Sequence, residues 1–166
     1  MDDNKKIDSA FKLLDNVQNV IRFADTKINV LLVISGVTTT FIVTNFQSLY
    51  DASCFSKITL GLFFLTFICF VILSLLTIYP RTDNYSGNSP VKINYFNHIA
   101  NRVEAKDFVD DFNKLTDEGF LTDILYQVYE NSRIASKKFG FYKKSLIVLQ
   151  IQILFFFLLL ILKYFN

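Results

Sequence analysis

The sequence predicts an all-α membrane protein with three transmembrane helices, two of them long and extending into a cytoplasmic helical stalk. Three observations predict it. The 166 residues are 52% hydrophobic, with 19 Phe and a mean hydropathy of +0.35, more apolar than a soluble domain of this length. The apolar residues are gathered into three uncharged runs rather than spread along the chain. Lys and Arg are divided unevenly among the segments that join those runs. The expectation is one membrane domain over 1–166, with spans at about 28–46, 58–79 and 146–162 and a cytoplasmic part formed by 1–27 and 80–145.

Each span follows from length and charge. A helix rises about 1.5 Å per residue, so a hydrocarbon core of about 30 Å needs about 20 apolar residues. Ile28 to Phe46 is uncharged, and its four threonines can return their hydroxyls to carbonyls one turn back. The 27 polar residues before it are too long for the n-region of a cleaved signal peptide. Ile58 to Tyr79 follows and stops at Pro80. Leu146 to Leu162 ends at Lys163 and is short enough to thin the bilayer locally.

Orientation comes from the cations. Residues 1–27 hold Lys5, Lys6, Lys12, Arg22 and Lys27. The stretch 80–145 holds Arg81, Lys92, Arg102, Lys106, Lys114, Arg133, Lys137, Lys138, Lys143 and Lys144. Segment 47–57 and the C-terminal tail hold one each, Lys57 and Lys163. The positive-inside rule places the first two in the cytoplasm and the last two outside.

The cytoplasmic segments carry helical periodicity. Ile7, Phe11, Leu14, Val17, Ile21, Ala24 and Ile28 recur every three or four residues, and no Gly or Pro separates them from the first span. One helix from about Ile7 to Phe46 is expected. Leu121, Leu125, Val128, Ser132, Ala135, Phe139 and Tyr142 form a second stripe that runs into the third span, with Asp117 as its N-cap. Between them, 82–90 reads as a loop. Tyr95 to Val103 and Phe108 to Leu115 read as short amphipathic helices.

Chemistry is sparse. A net charge of +2 gives no reason to expect a nucleic acid polymer as partner. Cys54 and Cys69 are neither a CxxC pair nor a disulfide framework, and His98 is the only histidine, so no metal or cofactor is expected. No nucleophile and base share a motif, and an enzyme is the weakest reading. The informative polar residues gather where two helices enter the membrane. They are Arg22, Asp25, Lys27 and Asn29 on the first, and Gln127, Asn131, Ser132, Arg133, Lys137 and Lys138 on the last, with Tyr126 and Tyr129 beside them. Together they offer cations for a phosphate, amides for a base edge and rings for stacking. The competing account is structural: Asp25 pairs with Lys137 or Arg133, and Asn131 bridges the helices.

Four strings in order resemble the transmembrane-type Pycsar effector family. They are FADTKINVLLVISG at 23–36, IYPR at 78–81, YFNHIA at 95–100 and LYQVYENSRIASKKF at 125–139. Some members carry further domains, so a minimal version is expected. The resemblance implies a bacterial inner-membrane effector of anti-phage defence. A partner nucleotide cyclase would make a cyclic pyrimidine mononucleotide, cUMP or cCMP, and the effector would impair the membrane in abortive infection. The ligand residues expected on this reading are Arg22, Asp25, Lys27, Tyr129, Asn131, Arg133 and Lys137. Three spans are too few to enclose a pore, so a homo-oligomer is expected, aided by Ser35, Gly36 and Thr40 on the first span. The alternative is a structural, assembly or channel-accessory subunit of a membrane complex with no nucleotide.

Overall fold

A computed structural model describes residues 3–79, 99 and 103–165. The expected loop at 82–90, Tyr95, Phe96, Arg81 and most of the YFNHIA segment lie outside them. Among the described residues there are five named helices and no strand: α1 (Asp3–Thr44), α2 (Phe46–Ala52), α3 (Cys54–Ile78), α4 (Ala105–Asn113) and α5 (Asp117–Phe165). Helices α1, α3 and α5 are each long and apolar enough to cross a membrane.

Two helices exceed what a membrane requires. Helix α1 has 42 residues and α5 has 49, so their axes run about 60 and about 70 Å, roughly twice the hydrocarbon thickness. The first span stops sooner than its hydropathy implies. Asn45 breaks the helix, with φ −106° and ψ 14°, and Phe46 opens the seven-residue α2. Segment 47–57, which joins the first two expected spans, is therefore mostly helical. Ser53 caps α3 by accepting from the Ser56 amide at 3.1 Å, and α3 starts at Cys54, ahead of the charge-free run. Asp117 is not the N-cap of α5. Thr116 is: its hydroxyl oxygen accepts from the Gly119 amide at 3.2 Å, and Asp117 and Glu118 lie in the first turn, where the positive helix end favours acids.

The chain divides into two compact units, Met1–Arg22 with Pro80–Ser136, and Phe23–Tyr79 with Lys137–Asn166. In the first unit an aromatic chain joins its elements. The Phe120 ring lies 5.7 Å from Phe11 of α1 and 6.5 Å from Phe112 of α4, which stands 6.2 Å from Phe108. Helix α4 keeps no residue fully buried.

In the second unit α1 and α5 run parallel. Asp25 meets Lys138, Ser35 and Thr39 meet Gln152, Phe41 meets Phe156, and Asn45 meets Lys163. Helix α3 packs against them through Leu60 and Phe63, in a core with Ile42, Leu49 and Leu159. Its remaining buried residues include Ser56, Thr59, Ser74 and Thr77. Thr59, Ser74 and Thr77 each return the hydroxyl proton to a carbonyl one turn back, at 2.8–2.9 Å. Small hydroxylated residues inside and Val33, Val37, Leu65 and Leu154 outside, at 57–66% exposure, suit a lipid solvent. Lipid gives the helices no hydrophobic reason to associate, so close packing and hydrogen bonds must hold them together.

Candidate functional site

The seven candidate residues lie on α1 and α5. Arg22 is exposed, Asp25 half-buried and Lys27 exposed on α1. Tyr129 and Arg133 are exposed and Asn131 and Lys137 half-buried on α5. Arg22, Tyr129, Asn131 and Arg133 belong to the first unit, and Asp25, Lys27 and Lys137 to the second.

Within the second unit one interaction dominates. The Lys138 ammonium donates to the Asp25 carboxylate at 2.5 Å. The Lys138 side chain is 11% exposed and that of Asp25 is 37%. Lys138 is buried because it shares a face of α5 with Ala135, Ser145, Leu149 and Gln152, all turned inward at spacings of three, four or seven residues. A cation so enclosed requires a counter-charge, and Asp25 supplies it. On the neighbouring turn the Lys27 ammonium stands 4.3 Å from the centroid of the Phe23 ring, leaving its charge outward.

Within the first unit the polar residues of α5 are more open. The Arg133 guanidinium carbon lies 6.0 Å from the Tyr129 ring centroid, at the outer limit of a cation–π contact. Arg133 also faces Glu130 one turn back, at 3.6 Å, with 51% and 36% of the two side chains exposed. Such an exposed pair is worth under about 1 kcal/mol. Gln127 is buried, and its side-chain nitrogen has no hydrogen-bond partner among the described residues.

Asp25 thus finds a cation in Lys138. Lys138 was outside the seven candidates, and the reason is geometric. The buried line of α5 runs through Ile124, Gln127, Ala135, Lys138, Ser145, Leu149 and Gln152, whereas the expected stripe placed Leu125 inside, and Leu125 is 45% exposed. Ranking positions by hydrophobicity turns the helix the wrong way when the inward residues are polar. The available signal was the spacing of Gln127, Lys138, Ser145 and Gln152, which is helical in its own right.

Taken separately, the first unit offers Arg133, Asn131 and the exposed rings of Tyr126 and Tyr129, and the second offers Lys27 and the Asp25–Lys138 pair. Among the described residues no three His, Cys, Asp or Glu side chains gather as metal ligands. Compared with known families, residues 9–163 match the profile described as Pycsar effector protein domain. No curated protein and no solved structure matches the chain.

Proposed function

This chain belongs to the Pycsar effector protein family, a family of membrane effectors in anti-phage defence, and from that premise we propose that it senses a cyclic nucleotide and impairs the membrane that holds it. The nucleotide is a cyclic pyrimidine mononucleotide, cUMP or cCMP, made by a partner cyclase on infection. The membrane is the bacterial inner membrane, with the N-terminus cytoplasmic and the C-terminus outside. The reading assigns the chain no reaction of its own.

The observation that carries the proposal is the family match over 9–163, together with the continuity of α1 and α5. Each is one helix from a polar, charged segment into a membrane-length apolar one. The shared helix is taken as the route by which a ligand at the polar end acts on the membrane end. It shifts the balance only by its differential affinity for two arrangements. Arg22, Lys27, Arg133 and Lys137 are assigned to the phosphate, and Tyr129 and Asn131 to the base. Asp25 is assigned to orienting a neighbouring cation or to accepting from the base; its ion pair with Lys138 supports the first role. Homo-oligomers would supply the spans that one chain lacks for a pore.

The deciding experiment is co-expression. Expression alone should be tolerated, and expression with an active pyrimidine cyclase should be toxic and depolarise the inner membrane, read by a potential-sensitive dye. Equal dye signals with active and catalytically dead cyclase would remove nucleotide gating.

A further inference from the structure

Helix α5 carries two glutamines inside its apolar segment, Gln150 and Gln152, turned to opposite sides. Gln152 is fully buried. It accepts from the Ser35 hydroxyl at 3.0 Å and its amide donates to Thr39 Oγ at 3.3 Å. Gln150 lies two residues earlier, about 200° around the helix, and is exposed. Its side chain has no partner among the described residues. It sits six residues past Lys144, about 9 Å further along the axis. There lipid offers no hydrogen bond, and an unpaired amide is unfavourable.

The neighbours of Gln150 on that face follow a rule. Ile147, Gln150, Leu154, Phe157 and Ile161 are spaced three, four, three and four residues apart. All five are exposed, the apolar four at 53–66%. Extended toward the N-terminus, the same alternation meets Lys143 and Gly140, also exposed, and a Cβ at Gly140 would meet open space. This is the seam of a left-handed helix pair, unfilled.

We propose that the 147–161 seam of α5 pairs in parallel with the same seam of a second copy, with Gln150 bonded to Gln150 across the interface. The occupant follows from the chemistry. A carboxamide is both donor and acceptor and so complements itself. Copies inserted in one membrane share orientation, and a parallel heptad pair brings identical residues face to face. A single polar residue on such a seam sets register, because any slip leaves both amides unpaired in hydrocarbon. The like charges at Lys143 meet at the segment's polar end, where anionic headgroups and water screen them. The inference rests on the homo-oligomer of the proposed function and needs no nucleotide.

The test uses the full chain in native membranes, without cyclase. Cys54 and Cys69, both exposed, are replaced by Ser, and single cysteines are placed at 147, 154 and 157 on the seam and at 148 and 153 off it. Mild oxidation should yield a disulfide-linked species of twice the chain mass, several-fold more at the three seam positions. Gln150→Leu should reduce cross-linking through a cysteine at 154 several-fold, and Gln150→Asn should restore most of it, at unchanged membrane abundance. Even yields on and off the seam, or products of another mass, would overturn the second copy as occupant. An unchanged yield in Gln150→Leu would overturn the role of the amide. Neither outcome bears on cyclase-dependent toxicity, so the two proposals fail separately.

Discussion

The Asp25–Lys138 pair should respond unequally to losing either partner, and the structure says in which direction. The Lys138 side chain is 11% exposed and the Asp25 side chain 37%. In Asp25→Ala an enclosed ammonium is left without its counter-charge. Breaking a buried pair in this way costs about 3–5 kcal/mol, and the partial exposure at the Asp25 end puts the expectation at the lower limit, about 3 kcal/mol. In Lys138→Met the long apolar chain is kept and the orphaned carboxylate turns to water, so the loss should be about 1 kcal/mol, the scale of one hydrogen bond. The readout is unfolding in mixed micelles of rising denaturing-detergent fraction, followed by circular dichroism, with the double variant closing a mutant cycle. Asp25→Ala should be clearly the less stable single variant, and in the double variant the loss should fall well short of the sum. Two equal losses below about 0.5 kcal/mol would mean that the pair is solvated like any surface ion pair, and the enclosure of Lys138 would explain nothing.

Further outcomes are expected. Reporters fused after Asn166 and within 47–57 should both register the outside, and a cytoplasmic C-terminus would reverse the orientation or remove the third span. Gln152→Leu should destabilise the second unit by only about 1 kcal/mol, because interhelical hydrogen bonds in membranes average about 0.6 kcal/mol and Ser35 can bond its own helix instead; the same micelle titration measures it, and a loss above about 3 kcal/mol would make the polar contact the main fastening of α1 to α5. Arg22→Ala, Lys27→Ala, Asn131→Ala and Arg133→Ala should each weaken cyclic-nucleotide binding roughly ten- to a hundredfold, since a charge-assisted hydrogen bond is worth about 1.5–3 kcal/mol and about 1.4 kcal/mol is a factor of ten. Membrane abundance should hold in all four, and unchanged affinity throughout would move the ligand elsewhere on the chain.

What the sequence determined by itself is whatever depends on length, charge and average hydropathy. Three spans were legible because crossing hydrocarbon demands a long uncharged run, and long runs occur nowhere else in this chain. The two long helices were legible because nothing between Ile7 and Thr44, or between Phe120 and Lys163, breaks a helix. The stripe on α1 was nearly right, with Ala24 and Ile28 fully buried. Tertiary structure decided the rest. Asn45 ends the first span because a second element, α2, has to fold back toward α3, and Leu49 of α2 buries itself in that core. The inward face of α5 was misread at Leu125 because its buried line includes the polar residues Gln127, Lys138, Ser145 and Gln152 beside Ile124, Ala135 and Leu149, and a ranking by hydrophobicity passes over them. Lys138 was already among the polar residues noted on α5, but its inward position and its pairing with Asp25 came only from the fold. The fold likewise separates Gln152 from Gln150: two identical side chains, two residues apart, become a helix fastening and an open amide solely because of which neighbours it places around each.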